Sequence, residues 1–419
     1  MKVCLLTPGQ PSTNPRLVKE ADALAEAGFD VHVVYAHWAD WAAETDRELL
    51  ASRAWTWSSV GGSPQGQAAR YRWTRLRHGL SRCAAPKLSG SRLLARRALS
   101  RVAPELQAAA RSIPADLYIG HNLAALPAAV AGAAQHGALA GFDAEDFHSG
   151  MDPVGECTYE TDLAQTVERE CLPRCAYVSA ASPGIAEAYA RKYGVRLPET
   201  ILNVFPLSER PNAFRPSEPG SPLKLFWFSQ TVGRGRGLED AIRAMGTLPN
   251  IEVELHVVGE WASGYRSELL PLAESVGVRP AQIRGHSTAR PQDLVGIAAR
   301  HDIGLALEQA ACVNRDICIT NKIFTYLLAG NAVAATNTQG QQEIVRRIGR
   351  AGFSYEPGNA AQLAAGLRVW SENRKALESA RREAWDWGTR QYNWDFEKQK
   401  FLAIVERVLT RPVRNEVTA

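Results

Sequence analysis

The clearest alternation of apolar and polar positions lies in residues 302–343. The apolar run 303–307 stops at Glu308, so it reads as a buried strand ending in a polar group. After a loop, Thr320 stands as N-cap to the helical run 323–329, and Gly330 holds the place of a C-cap glycine. Residues 332–336 read as the next buried strand. Polar side chains thus gather where a strand ends and a helix begins, the edge at which open parallel sheets bind ligands. A helix N-terminus with free N–H groups, together with Asn321 and Lys322, suits a phosphate. An ordinary strand–helix–strand crossover has the same pattern.

The rest of the chain repeats the theme. Residues 2–7 read as a strand, 8–11 as a Gly/Pro turn, and Asn14 caps a helix with Pro15 at its first position. Leu17, Ala21, Leu24 and Ala25 form its apolar face, Gly28 ends it, and 31–35 returns as a strand. Gly9 and Gln10 in the turn either approach a ligand or only join strand to helix. Residues 116–120 form a strand followed directly by His121 and Asn122; 123–135 is an Ala-rich helix, and 138–142 a strand ending at Asp143, with Glu145 beyond. Two successive strands therefore deliver a histidine and carboxylates to one rim. Strands at 176–180 and 200–204, with a helix at 183–193, complete a domain over 1–205. A Pro/Ser/Glu-rich linker spans 206–222.

A second domain, 223–392, opens with a strand at 223–228 and the loop Ser229-Gln230-Thr231-Val232-Gly233-Arg234-Gly235-Arg236-Gly237 before a helix. Glycines let the backbone approach a ligand, the helix offers N–H groups, and arginine adds bidentate donors, a set that suits a diphosphate. Gln230, Thr231, Gly233, Gly235 and Gly237 are accordingly donor-binding candidates, with Arg236 as the cation. Strands follow at 253–258 and 283–286, Pro291 opens a helix, and an amphipathic helix occupies 393–411 before a tail at 412–419.

Composition narrows the field. At 419 residues, 45% apolar and 22% charged, the chain is globular and long enough for two domains. A net charge of +4 does not imply nucleic acid. No stretch is apolar enough for a membrane span, the start is a strand rather than a leader, and seven scattered cysteines lack zinc spacing, which points to the cytoplasm. Without Gly-x-Gly-x-x-Gly, a dinucleotide-dependent epimerase or oxidoreductase is disfavoured, and without Asp-x-Asp no metal is called for. One segment departs from neutrality. Residues 49–104 hold eleven Lys or Arg and no Asp or Glu, with Trp55, Trp57, Tyr71 and Trp73 interleaved. Read as an insertion, it suits an anionic membrane surface, an anionic acceptor, or plain solvent.

The stretch 321–330, followed by Val333-Ala334-Ala335-Thr336, resembles the donor segment of family-four retaining glycosyltransferases. Asn14-Pro15-Arg16 and Gly120-His121-Asn122 resemble the same family. The resemblance implies an α/β protein of GT-B architecture, two Rossmann-like domains facing each other across an interdomain cleft, with the C-terminal helix crossing back to the first. It implies a hexosyltransferase using a nucleoside diphosphate sugar as co-substrate, with no bound cofactor and no metal. The acceptor would be a glycan, lipid-linked or small-molecule alcohol, in cell-envelope or exopolysaccharide synthesis at the inner face of the membrane. His121, Arg236 and Lys322 would be catalytic. Gly9, Gln10, Gln230, Thr231, Gly233, Gly235, Gly237, Glu308, Asn321 and Thr325 would lie on the donor side, and Asn122, Asp143 and Glu145 on the acceptor side. Two glutamates common in relatives fall here on Ile317 and Thr325. Glycosylation of a soluble natural product, or a non-catalytic protein that keeps the fold without those carboxylates, stays open.

Overall fold

The computed structural model describes residues 1–87, 91–153, 155–218, 220–248 and 251–410, so the tail at 412–419 lies outside the described residues. The chain forms two compact units, Met1–Ile201 with the segment from Lys398, and Leu202–Glu397. The first is built on β1 (Lys2–Leu6), β2 (Asp30–Ala36), β3 (Thr56–Val60), β4 (Leu117–His121), β5 (Leu139–Ala144), β6 (Tyr177–Ala180) and β7 (Glu199–Thr200). These pair in the order β3-β2-β1-β4-β5-β6-β7. The second uses β8 (Leu223–Val232), β9 (Val253–Trp261), β10 (Ile283–His286), β11 (Ile303–Ala306), β12 (Ala332–Thr336) and β13 (Gly352–Tyr355). Their order is β10-β9-β8-β11-β12-β13.

Every pairing is parallel. Both sheets reverse direction beside their first strand, at β1/β4 and at β8/β11, which is the doubly wound arrangement. Fully buried strands such as β4, β11 and β12 are apolar runs because helices cover both faces. Close packing has a specific cost in side-chain volume. A Cβ on Gly304 of β11 would sit 2.0 Å from the Tyr326 ring of the helix Asn321–Ala329. The sequence-read helix start at Asn14 holds: its Oδ1 accepts from Leu17 N at 3.1 Å, with Pro15 next.

Several expectations change. Residues 49–104, expected as a basic insertion, supply the edge strand β3 and the helices Ala68–Ala84 and Arg92–Leu99. β8 runs on to Val232, with an irregular register between Phe228 and Thr231, so Gln230 and Thr231 sit on a strand end rather than in a loop. Residues 309–320 contain a short helix, Val313–Ile317. Thr320 makes no side-chain cap. Of the stretch expected at 200–204 only Thr200 is in a strand, the two-residue Glu199–Thr200.

Candidate functional site

In the first unit, register brings chemistry together. His121 at the end of β4 pairs with Asp143 on β5, and Asp143 with Ser179 on β6, so three polar residues stand side by side at the C-terminal edge of the sheet. The helix Pro15–Glu26 adds Arg16 and Glu20, one turn apart and both buried. Arg16 grips Asp143 through Nε at 2.5 Å and a second nitrogen at 2.7 Å, and donates to the Ile201 carbonyl at 2.7 Å. Ser179 Oγ donates to Asp143 at 2.8 Å. His121 Nε2 lies 3.2 Å from Glu20 Oε2, and Nδ1 lies 3.5 Å from Asp143 and 4.0 Å from Glu145. These are ion-pair contacts rather than well-formed hydrogen bonds for the His121 nitrogens and the Glu20 oxygens.

Four buried ionisable groups thus form a balanced set of two acids and two bases. Burial opposes charge on His121, but Glu20, Glu145 and Asp143 outweigh it and push the imidazole up to about 10. Burial and the neighbouring Asp143 raise Glu20. Burial would raise Asp143 too, yet Arg16 and His121 hold it below the usual carboxylate range. The Glu20–His121 pair therefore keeps a proton through neutral pH, formally on the imidazole. One ligand-type atom each from Glu20, His121 and Asp143 lies within 4.8 Å of the others, a spacing that a metal would accept. Arg16 already neutralises Asp143 and approaches Glu20 to 3.6 Å, so the charge a cation would supply is present.

The residue after His121 is strained. Asn122 is one of two non-glycine residues with positive φ among the described residues, at φ 67 and ψ 146. Its exposed side chain accepts weakly from Ala124 N. Glu145 stays partly exposed beside His121, whereas both Asp143 oxygens are engaged by Arg16 and one of them also by Ser179. Gln10 is likewise engaged within the chain. It is buried, its amide donates to Asp46 at 2.6 Å, and its oxygen accepts from the Trp38 and Ala39 N–H groups. That makes it a structural tie. Gly9 N donates to Thr7 Oγ1 at 3.3 Å and its carbonyl accepts from Ala36.

The second unit collects positive charge at its own rim. Glu308, just beyond β11, is buried and bonded to Lys322 Nζ at 2.5 Å, with Arg315 at 3.6 Å. Burial would raise its carboxyl, but Lys322, Arg315 and Arg236 together keep it lowered and ionised. Three cations around one carboxylate leave a local surplus of positive charge. Thr336 Oγ1 donates to the Glu308 carbonyl at 2.6 Å and fixes the strand end. Lys322 also lies 5.5 Å from the centre of the Trp227 ring.

The glycine turn supports this rim. Gly237, at φ 76, comes so close to β11 that a Cβ would meet the Leu307 carbonyl oxygen at 2.4 Å. Gly233 is buried and Gly235 exposed. Arg236 is partly exposed and, among the described residues, makes no hydrogen bond or ion pair; Arg234 instead pairs with Glu268. Gln230, Thr231 and Asn321 are exposed. Thr325 is fully buried and its hydroxyl donates to the Asn321 carbonyl at 3.3 Å, while Ile317 is buried; neither replaces the absent glutamates.

Sequence reading missed Arg16, Glu20, Ser179 and Arg315. The available signal was Arg16 and Glu20 at helical spacing beside an apolar face, where a charged residue needs a partner.

No protein-family model matches the sequence, and no curated protein matches it either. Solved structures do. HepE of Anabaena, crystallised with UDP, superposes with a TM-score of 0.69 at 16% identity, covering 97% of this chain and 100% of that one. Sucrose-phosphate synthase of Thermosynechococcus elongatus gives 0.70 at 12% identity, with 97% and 99% covered. A putative UDP-N-acetylglucosamine 2-epimerase of Listeria monocytogenes gives 0.60 at 10%, with 99% and 98% covered. The chain has the GT-B fold, two Rossmann-like domains on parallel sheets, and at these identities the likeness speaks to fold alone.

Proposed function

We propose that the protein transfers a sugar from a nucleoside diphosphate sugar to an alcohol acceptor, with retention at the anomeric carbon, as a family-four-like hexosyltransferase. The observation that carries this reading is the cationic rim of the second unit: Lys322 and Arg315 paired with Glu308 at the N-terminus of the helix Asn321–Ala329, and Arg236 beside a glycine turn, near enough to act on the same carboxylate but, among the described residues, in no ion pair of its own. Free helix N–H groups and a guanidinium suit a diphosphate, and they stabilise the charge that grows on it as the sugar departs. Lys322 contributes as a positive charge held by Glu308, not as a free arm. HepE and sucrose-phosphate synthase, named above, support the class of reaction; the first was crystallised also with UDP-glucose.

In this reading His121, buried and held protonated between Glu20 and Asp143, positions the neighbouring Glu145 and takes no proton from the substrate itself. Glu145, the nearby carboxylate with solvent access, stands on the acceptor side. The work would be done in the cytoplasm on a cell-envelope or exopolysaccharide glycan. The shared fold with a putative epimerase makes a test of chemistry necessary. Calorimetry with UDP, GDP and ADP, followed by measurement of nucleotide release from nucleotide sugars with and without glycan and small-molecule alcohol acceptors, provides it. Nucleotide binding and acceptor-dependent release, with the product anomer matching the donor by NMR, is the expected result. Isomerised free nucleotide sugar would replace the transferase reading, inverted product would remove retention, and no nucleotide binding would leave a non-catalytic protein.

A further inference from the structure

The helix Ala68–Ala84 is folded inside out. Its inward side is polar: Thr74 and Ser81 are buried, His78 Nε2 meets the Ala98 carbonyl at 2.8 Å, and Arg77 holds Glu105 through two nitrogens at 2.8 and 2.6 Å. Its outward side carries Trp73, Leu76 and Leu80, at 57%, 58% and 62% exposure. Spacings of three and four residues put these three on one stripe. An amphipathic helix normally faces its apolar stripe inward, so an exposed one calls for a partner.

The charges on the helix indicate which partner. Several arginines of the acid-free block are neutralised from elsewhere: Arg53 by Asp22, Arg77 by Glu105, Arg82 by Glu160 and Arg96 by Glu170. The helix Arg92–Leu99 packs its alanines inward against Leu163; the side chains of Lys87 and Arg92 lie outside the described residues. Arg70, Arg72 and Arg75 are exposed and, among the described residues, pair with no carboxylate. They sit on the same helix as the apolar stripe.

We infer that this helix docks the protein on an anionic lipid bilayer, the stripe entering the interface and Arg70, Arg72 and Arg75 meeting headgroups. Tryptophan with arginine beside leucines is the composition of interfacial helices. A second copy of the chain fits less well, because a two-fold contact through this stripe would oppose like-charged arginines. The inference stands apart from the transfer reaction and is read without it.

The full chain is sedimented with phosphatidylcholine vesicles, with and without phosphatidylglycerol, at low and physiological salt. Binding should rise with phosphatidylglycerol and fall with salt. Arg72→Gln and Arg75→Gln should each lower partition about fivefold, and Leu76→Ser with Leu80→Ser by roughly tenfold or more. Melting temperatures should not change, since all four side chains are exposed. Equal partition onto both vesicle types, or none, overturns the inference. So does unchanged binding in the variants, or a dimer that Leu76→Ser dissolves without any vesicle binding.

Discussion

Replacing Arg16 by Met tests whether the buried charges of the first unit are a balanced set. Arg16 is 1% exposed and makes two bonds to Asp143 and one to the Ile201 carbonyl. Its loss strands Asp143 beside Glu20 with one cation, His121, between them. Breaking a buried pair by removing one partner costs about 3–5 kcal/mol. For a unit of this size, each kcal/mol moves the melting temperature by about 2–4 °C, so the transition should drop by roughly 6–20 °C. Removing one ion of each sign should behave differently. Arg16→Met with Asp143→Leu leaves Glu20 and His121 as a self-sufficient pair, and most of the loss should return. Differential scanning calorimetry can follow the first unit's transition in the three proteins. If the single variant melts within about 2 °C of the parent, or the double variant is as unstable as the single, the charges are not coupled and the account of the cluster is wrong.

Arg236→Ala should weaken nucleotide diphosphate binding by about 1.5–3 kcal/mol, the range for charge-assisted hydrogen bonds; unchanged affinity by calorimetry would take the residue out of the site. The His121 imidazole is raised to about 10 in the folded protein, above its unfolded value near 6.5. Its contribution to stability is therefore complete below about pH 6.5 and vanishes as pH rises through 10, and chemical denaturation of His121→Asn beside the parent should show the gap closing over that interval. A structure with bound nucleotide sugar should place Glu308 or Asn321 within hydrogen-bond reach of the donor, and contacts from neither would strike both from the site.

The alternation of strands and helices, the Asn14-Pro15 helix start and Gly330 as a C-cap at φ 75 were legible from the sequence, because periodicity and capping are local. So was the placing of His121 and Asp143 at strand ends of the first unit, and of Glu308 just beyond a strand of the second, since a parallel sheet puts its loops there. The roles of those side chains were not. Whether Gln10 met a ligand or the chain depended on Asp46, 36 residues away, and whether Asp143 was free depended on Arg16, 127 residues away. The acid-free block looked unneutralised until Asp22, Glu105, Glu160 and Glu170 arrived from outside it. In the helix Ala68–Ala84 the spacing of Trp73, Leu76 and Leu80 makes an apolar stripe, but spacing does not say which way the stripe points. Facing is decided by what the rest of the fold offers each side, and here it offers hydrogen bonds to the polar one.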